Sequence, residues 1–172
     1  MFTELTIPLY LEKMAGTSFP SPKGGSALAV AGAMGAALTK MCSQVSANNY
    51  PGESRYQEIT KLADLLQERF LELADEDTRV VYEMLQAGKK EKDSQQHCET
   101  IQGSYAKASD NLFKVGEAAN DLIDLAQYLT PLCVPSCIVD LQIVEILTKS
   151  IKEAIVNAIG DNYKIVADKG CL

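Results

Sequence analysis

The chain has few of the groups that nucleic-acid binding and nucleophilic catalysis need. Only three of its 172 residues are arginine, and its formal net charge is −7 at pH 7. Binding to nucleic acid requires a basic face that displaces counterions, so we expect no nucleic-acid partner. His97 is the only histidine, and no catalytic signature surrounds it. The sequence therefore supports neither a Ser–His nor a Cys–His catalytic pair.

Segments that would direct the chain to or through a membrane are also missing. The apolar run Ala27–Leu38 has 12 residues, well short of the ~20 that span a bilayer. The segment Met1–Leu5 has no basic region and no long apolar core, so we expect no signal peptide and no membrane partner. Nothing repeats along the chain, and no linker is long or rich in serine and glycine.

The cysteines argue against both a disulfide framework and a metal site. Their number, five, is odd, and the chain is not short, so reduced thiols in the cytoplasm are expected. Cys133 and Cys137 are four residues apart, and the single histidine is far away in the sequence. Zinc usually requires a tighter cysteine pair or a second pair, so we predict no metal.

Helical periodicity dominates the sequence, and few stretches alternate with a period of two. Proline and glycine occur mainly at the junctions between periodic segments. The sequence predicts an all-α protein, an antiparallel helical bundle of about five to six helices, in one domain over residues 1–172. The predicted helices are Leu5–Met14, Ser26 to about Ala47, Tyr56 to Ala87, Asp93 or Ser94 to about Thr130 with a bend near Ser109–Asp110, and Ser136–Gly160, with a continuation through Tyr163–Lys169 left open.

A glycine loop opens the second predicted helix. Two prolines in Pro20–Ala27 end any preceding element, Gly24 and Gly25 permit close backbone approach, and Ser26 is predicted to cap the helix. The start of a helix offers free N–H groups and the positive end of the helix dipole, which can bind an anion. The alternative is a plain loop before a buried helix. A Walker A loop and a dinucleotide fingerprint are both excluded, because neither the Gly-Lys-Ser/Thr spacing nor a preceding strand is present.

Two aspartates lie on apolar helix faces. Asp77 falls between Leu73 and Val80, and Asp140 is in line with three apolar residues, Val144, Leu147 and Ile151. A carboxylate directed into a core costs several kcal/mol unless it is paired or its pKa shifts. Such groups are candidates for acid–base chemistry. The alternative for each is a structural aspartate that accepts hydrogen bonds from its neighbours.

The second predicted helix carries small residues at a spacing of four and no charge over residues 24–39. Such a helix packs very closely against a neighbour or forms a tight interface between two chains, which favours a homodimer. The small residues are Ala29, Ala33 and Ala37, and Gly32 with Ala36.

Four motifs together resemble the cyclodeaminase/cyclohydrolase family. This family includes the C-terminal half of formiminotransferase-cyclodeaminase and free-standing methenyltetrahydrofolate cyclohydrolases. The likeness extends over nearly the whole chain. Its motifs are Pro20-x-Pro22-x-Gly24-Gly25-Ser26-Ala27, the stretch Gly-Ala-Met-Gly-Ala-Ala-Leu at 32–38, Asp75-x-Asp77 with Tyr82, and Asp140-Leu-Gln142.

The resemblance implies an all-α homodimer that binds a folate near the subunit interface and needs no cofactor. It implies closure of 5-formimino-tetrahydrofolate to 5,10-methenyl-tetrahydrofolate with loss of ammonia, or hydrolysis of the methenyl form to 10-formyl-tetrahydrofolate. Asp77 and Asp140 would be the catalytic carboxylates. The implied substrate-binding residues are Lys23, Gly24, Gly25, Ser26, Asp75 and Tyr82.

The sequence departs from the family pattern at four places. Lys23 replaces the first of three glycines, Cys133–Val134 replaces a Gly-Asn pair, Val139 replaces a serine, and the proline expected near Ser109–Asp110 is missing. Three hypotheses follow: a folate-processing enzyme, a catalytically impaired relative that binds folate or serves in assembly, and a structural bundle in which the loop only packs.

Overall fold

The computed structural model describes residues 1–87 and 95–167, except for the side chains of residues 95–97. This part of the chain forms five α-helices and two short 3-10 helices, at Phe2–Glu4 and Pro135–Cys137, and no strand. The architecture confirms the predicted all-α fold. The α-helices are α1 (Ile7–Ala15), α2 (Gly24–Asn49), α3 (Arg55–Ala87), α4 (Gln95–Leu129) and α5 (Ile138–Ala167).

Helices α2 to α5 form an antiparallel four-helix bundle, and α1 precedes it. Helix α2 packs against α3, α5 and α4, and α4 also packs against α3 and α5. The apolar core runs along all four helices; its largest fully buried hydrophobic side chains are Phe70, Leu73, Val115, Leu122, Leu129, Leu141, Val144 and Ile151. The prediction of one domain over residues 1–172 stays a prediction, because that range includes residues outside the described part.

The small residues of α2 allow α3 to come very close. A Cβ placed on Gly32 would lie 2.5 Å from Cε1 of Phe70 on α3, closer than any real packing contact. Ala29, Ala33 and Ala36 are buried on the same helix. The predicted close packing is therefore confirmed for these positions, whereas Ala37 is exposed.

The buried face of α3 follows the spacing of its apolar residues except near its start. The spacing Leu62, Leu66, Phe70 and Leu73 predicts that all four lie on that face. Phe70 and Leu73 are fully buried, but Leu62 is 50% exposed and the adjacent Ala63 is fully buried instead. The prediction is therefore wrong for Leu62.

Helix α2 has the length and mean hydropathy of a membrane-spanning segment, by composition alone. Its packing against three other helices is that of the core helix of a bundle. Helix α4 is unbroken from Gln95 to Leu129, and the bend predicted near residues 109–110 stays a prediction. The predicted caps Asp93 and Ser94 lie outside the described residues.

The thiols are not all free. Cys42, Cys133 and Cys137 are free and buried, but Cys98 is disulfide-bonded. The expectation of five reduced cysteines is therefore wrong for Cys98.

Candidate functional site

The carboxylate of Asp77 lies buried under the first turn of α2. Asp77 comes from α3 and is only 4% exposed. The backbone N–H of Ser26 donates a hydrogen bond of 2.8 Å to its Oδ2. The positive end of the helix dipole and a first-turn N–H therefore both act on this carboxylate.

Only glycine fits at the point where α2 crosses Asp77. A Cβ on Gly25 would lie 2.1 Å from Oδ1 and 2.6 Å from Cγ of Asp77. By contrast, a Cβ on Gly24 would meet no atom within 4 Å. Of the two glycines, Gly25 is thus required by the approach of the carboxylate, and Gly24 is not.

Ser26 does not cap α2 in the predicted way. The helix begins at Gly24, with Lys23 at the N-cap position and no side-chain capping bond. The Ser26 hydroxyl instead shares a 2.8 Å hydrogen bond with the hydroxyl of Tyr10 on α1. The Asp77 carboxylate from α3 accepts the backbone N–H of Ser26 itself, and Lys23 occupies the N-cap position, so the prediction of Ser26 as the cap is wrong.

Burial raises the pKa of Asp77 to about 6, from an ordinary value of 3.8. The hydrogen bonds from the Ser26 backbone and the Asn111 side chain favour the charged form and limit the rise of the pKa. A carboxyl with this pKa can both accept and release a proton near neutral pH. Burial also raises the pKa of the Tyr10 hydroxyl, which the charges of Asp77 and Asp75 raise further.

Two buried polar atoms have no partner among the described residues: Oδ1 of Asn111 and Oγ of Ser21. Asn111 is 1% exposed on α4 and Ser21 is 2% exposed in the loop before α2. Asn111 also donates its amide to the carbonyl of Leu73 at 3.3 Å. Since buried polar groups are normally paired, both atoms have unused hydrogen-bonding capacity.

Lys23 is held within its own loop. Its ammonium donates to the carbonyl of Gly16 at 3.0 Å and lies 5.1 Å from the ring centroid of Phe19. These contacts fasten the loop to the end of α1. The predicted role of Lys23 in binding an anionic substrate stays a prediction, and it would require the lysine to leave these partners.

Asp75 also has local partners. Its Oδ1 accepts the backbone N–H of Phe2 at 2.7 Å and that of Thr3 at 3.3 Å, and its Oδ2 accepts the Thr3 hydroxyl. Asp75 therefore holds the N-terminal 3-10 helix against α3. Tyr82 lies half-buried five residues beyond Asp77, and its predicted contact with a substrate stays untested.

The structure does not bring Asp77 and Asp140 together within one chain. Asp77 contacts Ser26 at the start of α2. Asp140 lies near Cys42: together with burial and Cys137, its charge raises the pKa of Cys42 to about 12. The 16 residues from Ser26 to Cys42 span about 24 Å of helix. The two carboxylates thus belong to opposite ends of α2.

Tyr10 and Asn111 are the site residues that the sequence did not reveal. Tyr10 lies in a short helix of mixed composition, and Asn111 lies on a long helix with many polar positions. Only the packing of α1 and α4 against the Asp77 region brings them there. Asn111 follows the bend predicted near Ser109–Asp110, but nothing in the local pattern marks it as buried.

Comparison with known proteins gives a family match over most of the chain and a similar fold. The family model for formiminotransferase-cyclodeaminase matches residues 6–171. A crystal structure of formiminotetrahydrofolate cyclodeaminase from Thermotoga maritima superposes with a TM-score of 0.86 at 18% sequence identity, covering 99% of this chain and 84% of that one. At this identity the superposition shows a shared fold. No curated protein sequence matches the chain.

The fold and the family match therefore agree with the motifs around Gly25, Asp77 and Asp140. The family model extends over nearly all of the chain, including every residue of the Asp77 site. The chain belongs to the formiminotransferase-cyclodeaminase family.

Proposed function

We propose that the chain is a folate one-carbon enzyme that closes 5-formimino-tetrahydrofolate to 5,10-methenyl-tetrahydrofolate and releases ammonia. The observation that carries this proposal is the carboxyl of Asp77, buried under the start of α2 with a pKa near neutrality. Membership of the family supports the choice of substrate.

Asp77 can provide both proton transfers of ring closure. N10 of the folate attacks the formimino carbon, and a tetrahedral carbon forms between N5 and N10. The formimino group enters protonated, so the tetrahedral carbon carries a neutral NH2 group. The ionised carboxylate takes the N10 proton and gives it to that nitrogen; the bond between carbon and NH2 breaks, ammonia leaves, and the methenyl cation remains. One positioned group with a pKa near the working pH is sufficient for this transfer. Because no atom changes its oxidation state, we propose that the reaction needs no cofactor.

Hydrolysis of the methenyl form to 10-formyl-tetrahydrofolate uses the same carbon and the same carboxylate. In that reaction Asp77 takes one proton from the attacking water and gives it to N5 as the ring opens, and the other proton of that water is released to solvent as the formyl C=O forms. The two activities differ in their nucleophile and leaving group. We place ring closure first because the family model and the structural neighbour both bear the cyclodeaminase name.

We also propose that the protein is a homodimer formed through an exposed apolar face of α2 and α5. A Cβ on Gly35 would lie 3.9 Å from Cδ2 of Leu147, which places that side of α5 against α2. The outer edge of the same side carries large apolar residues at helical spacing. The α2–α5 face comprises Ala31, Met34, Leu38 and Met41 on α2 with Val139, Ile143 and Ile146 on α5.

Whether Asp140 can contribute to catalysis at the Asp77 site depends on how the proposed dimer is arranged. The partner's Asp140 reaches the Asp77 site only if the two copies of α2 pack antiparallel about a two-fold axis, which sets the end of one α2 beside the start of the other. The hypothesis that Asp77 and Asp140 act together therefore requires the hypothesis that the protein is a homodimer. Cys133–Val134 and Val139, which depart from the family pattern, lie at the Asp140 end.

The alternative function is folate binding without turnover, and the departures at the Asp140 end favour it. The test uses the purified protein with 5-formimino-tetrahydrofolate. We expect the methenyl chromophore to appear together with ammonia. Folate binding by calorimetry without either product would establish the alternative. If the protein neither binds nor converts the folate, the remaining hypothesis is a structural bundle without a folate site.

A further inference from the structure

We propose that Tyr10 is a positioning residue for Asp77: its hydroxyl, bonded to the Ser26 side chain, fixes the first turn of α2 and so keeps the Ser26 N–H on the carboxylate. This proposal rests on the proposed role of Asp77 in proton transfer. It assigns a task to α1, the short helix that precedes the bundle and that the proposed function leaves without one.

The first turn of α2 has little within itself to fix its geometry. It begins with Gly24 and Gly25, and glycine loses more backbone freedom on folding than any other residue. Lys23 at the N-cap position makes no side-chain capping bond. Because the first N–H groups of a helix have no acceptor within the helix, this turn depends on contacts from other elements.

Tyr10 supplies such a contact from α1. Its hydroxyl lies 2.8 Å from the hydroxyl of Ser26, and either group can donate the hydrogen bond. Ser26 is fully buried, so the bond is shielded from water. Tyr10 is the one buried residue of α1, whereas Ile7 is 75% and Leu11 is 55% exposed on the same helix. The Tyr10 side chain is therefore the part of α1 that is inserted beside the start of α2.

Ser26 transmits the contact to Asp77 because it is bonded on two sides. Its side chain meets Tyr10, and its backbone N–H donates to Oδ2 of Asp77 at 2.8 Å. Both groups belong to one residue, so fraying of the first turn would move them together. The neighbouring Gly25 leaves no spare room, since a Cβ there would lie 2.1 Å from Oδ1 of Asp77. A bond that holds Ser26 therefore holds the N–H against the carboxylate.

The charged groups of the flanking elements have other partners. The Lys23 ammonium donates to the Gly16 carbonyl, and Asp75 accepts hydrogen bonds from the N-terminal 3-10 helix. On α4, Lys114 pairs with Asp110. Among the described residues, the Ser26 hydroxyl is bonded by Tyr10 and by no other group. Tyr10 therefore performs this task alone.

Tyr10→Phe removes the hydroxyl and keeps the ring. A neutral hydrogen bond changes an equilibrium by about fivefold, so the amide hydrogen at position 26 should exchange with solvent about fivefold faster. The proton NMR shift of the same amide reports its bond to the carboxylate, and its change as Asp77 ionises should become smaller. We expect the kcat of ring closure to fall about fivefold as well.

The experiment measures both NMR signals in the folate-free protein, for the wild type, Tyr10→Phe, Ser26→Ala and the double variant. One bond joins the two hydroxyls, so all three variants should show the same change rather than a sum. Tyr56→Phe is the matched control. Its buried hydroxyl also donates a 2.8 Å bond, to the Leu132 carbonyl, and its backbone carbonyl accepts from Ser43, far along α2 from Ser26.

Faster exchange and a smaller shift change at position 26 in all three variants, and not in the control, support the proposal. Unchanged signals in Tyr10→Phe, or effects of the two substitutions that add, overturn it. Altered signals with the wild-type kcat would overturn the role of Tyr10 in the reaction. The NMR signals need no turnover, so altered signals in a protein that never releases ammonia would refute the proposed function and leave the structural contact intact.

Discussion

Gly25 and Asp77 are in such close contact that a Cβ at residue 25 would overlap the carboxylate, at 2.1 Å from Oδ1. The missing side chain of Gly25 on α2 is therefore what makes room for the buried carboxylate of Asp77 on α3. The contact brings the carboxylate to the Ser26 N–H and removes it from water. The perturbed pKa of Asp77 follows from that burial.

Gly25→Ala should therefore displace Asp77 and destabilise the protein. Overpacking of this kind costs about 1–3 kcal/mol, and we expect the activity to fall with it. Gly24→Ala is the matched control, since a Cβ there meets nothing within 4 Å. Urea unfolding of both variants checks the prediction. Equal stability of the two would show that the carboxylate can move aside without cost.

Asp77→Asn should make the folded protein more stable at pH 7. Because the pKa of Asp77 is about 6 when folded and ordinarily 3.8, the folded state binds more protons between these values. The contribution of this group to the free energy of unfolding therefore falls as the pH rises through that window, by about 2–3 kcal/mol in total. The amide removes this penalty.

The check is urea unfolding at pH 7 and at pH 4. The free energy of unfolding of the Asn variant should exceed that of the wild type at pH 7. The difference should shrink toward pH 4, where Asp77 of the folded wild type is largely protonated. A variant less stable than the wild type at pH 7 would show that ionised Asp77 is a favourable structural charge.

Mixing two inactive variants tests the shared site in a dimer. If Asp77 of one chain works with the partner's Asp140, a mixed dimer of Asp77→Asn and Asp140→Asn chains contains one intact site of two. Random re-association makes half of the dimers mixed, so about a quarter of the wild-type activity should return. Mass spectrometry would show whether the chains have exchanged. If they have and no activity returns, the site lies within one chain.

Lys23→Gly should weaken the loop more than it changes folate affinity. The lysine bonds Gly16 and covers Phe19, and an exposed charge contact with a ligand would contribute only about 0–1 kcal/mol. Lys23→Gln is the comparison, because it removes the charge and keeps a donor for the Gly16 carbonyl. Calorimetry at low and high salt checks this. Tighter binding in Lys23→Gly would indicate that the lysine obstructs the site.

The sequence was sufficient for the fold because the helical period and the junction prolines are local properties. It was also sufficient for the position of Asp77, whose charge breaks an apolar face. It could not reveal that Asp77 rather than Ser26 satisfies the first turn of α2, because that contact joins residues 51 positions apart.

The distance between Asp77 and Asp140 also could not be predicted from the sequence. Both lie on similar apolar faces, and the sequence suggests one role for both. Their placement at opposite ends of α2 depends on how three helices pack. Likewise, Leu62 and Ala63 are neighbours, and the packing of α3 rather than the hydropathy of the two side chains decides that the alanine is the buried one.

The catalytic role of Asp77 is tested most directly by the rate of methenyl formation from 5-formimino-tetrahydrofolate by the wild type and by Asp77→Asn, followed by absorbance across pH 5 to 9. We expect the wild-type rate to rise with pH through about pH 6, where Asp77 ionises, and the folded Asn variant to lose about two to four orders of magnitude in rate. An Asn variant that keeps the wild-type rate would show that Asp77 is not the catalytic carboxylate.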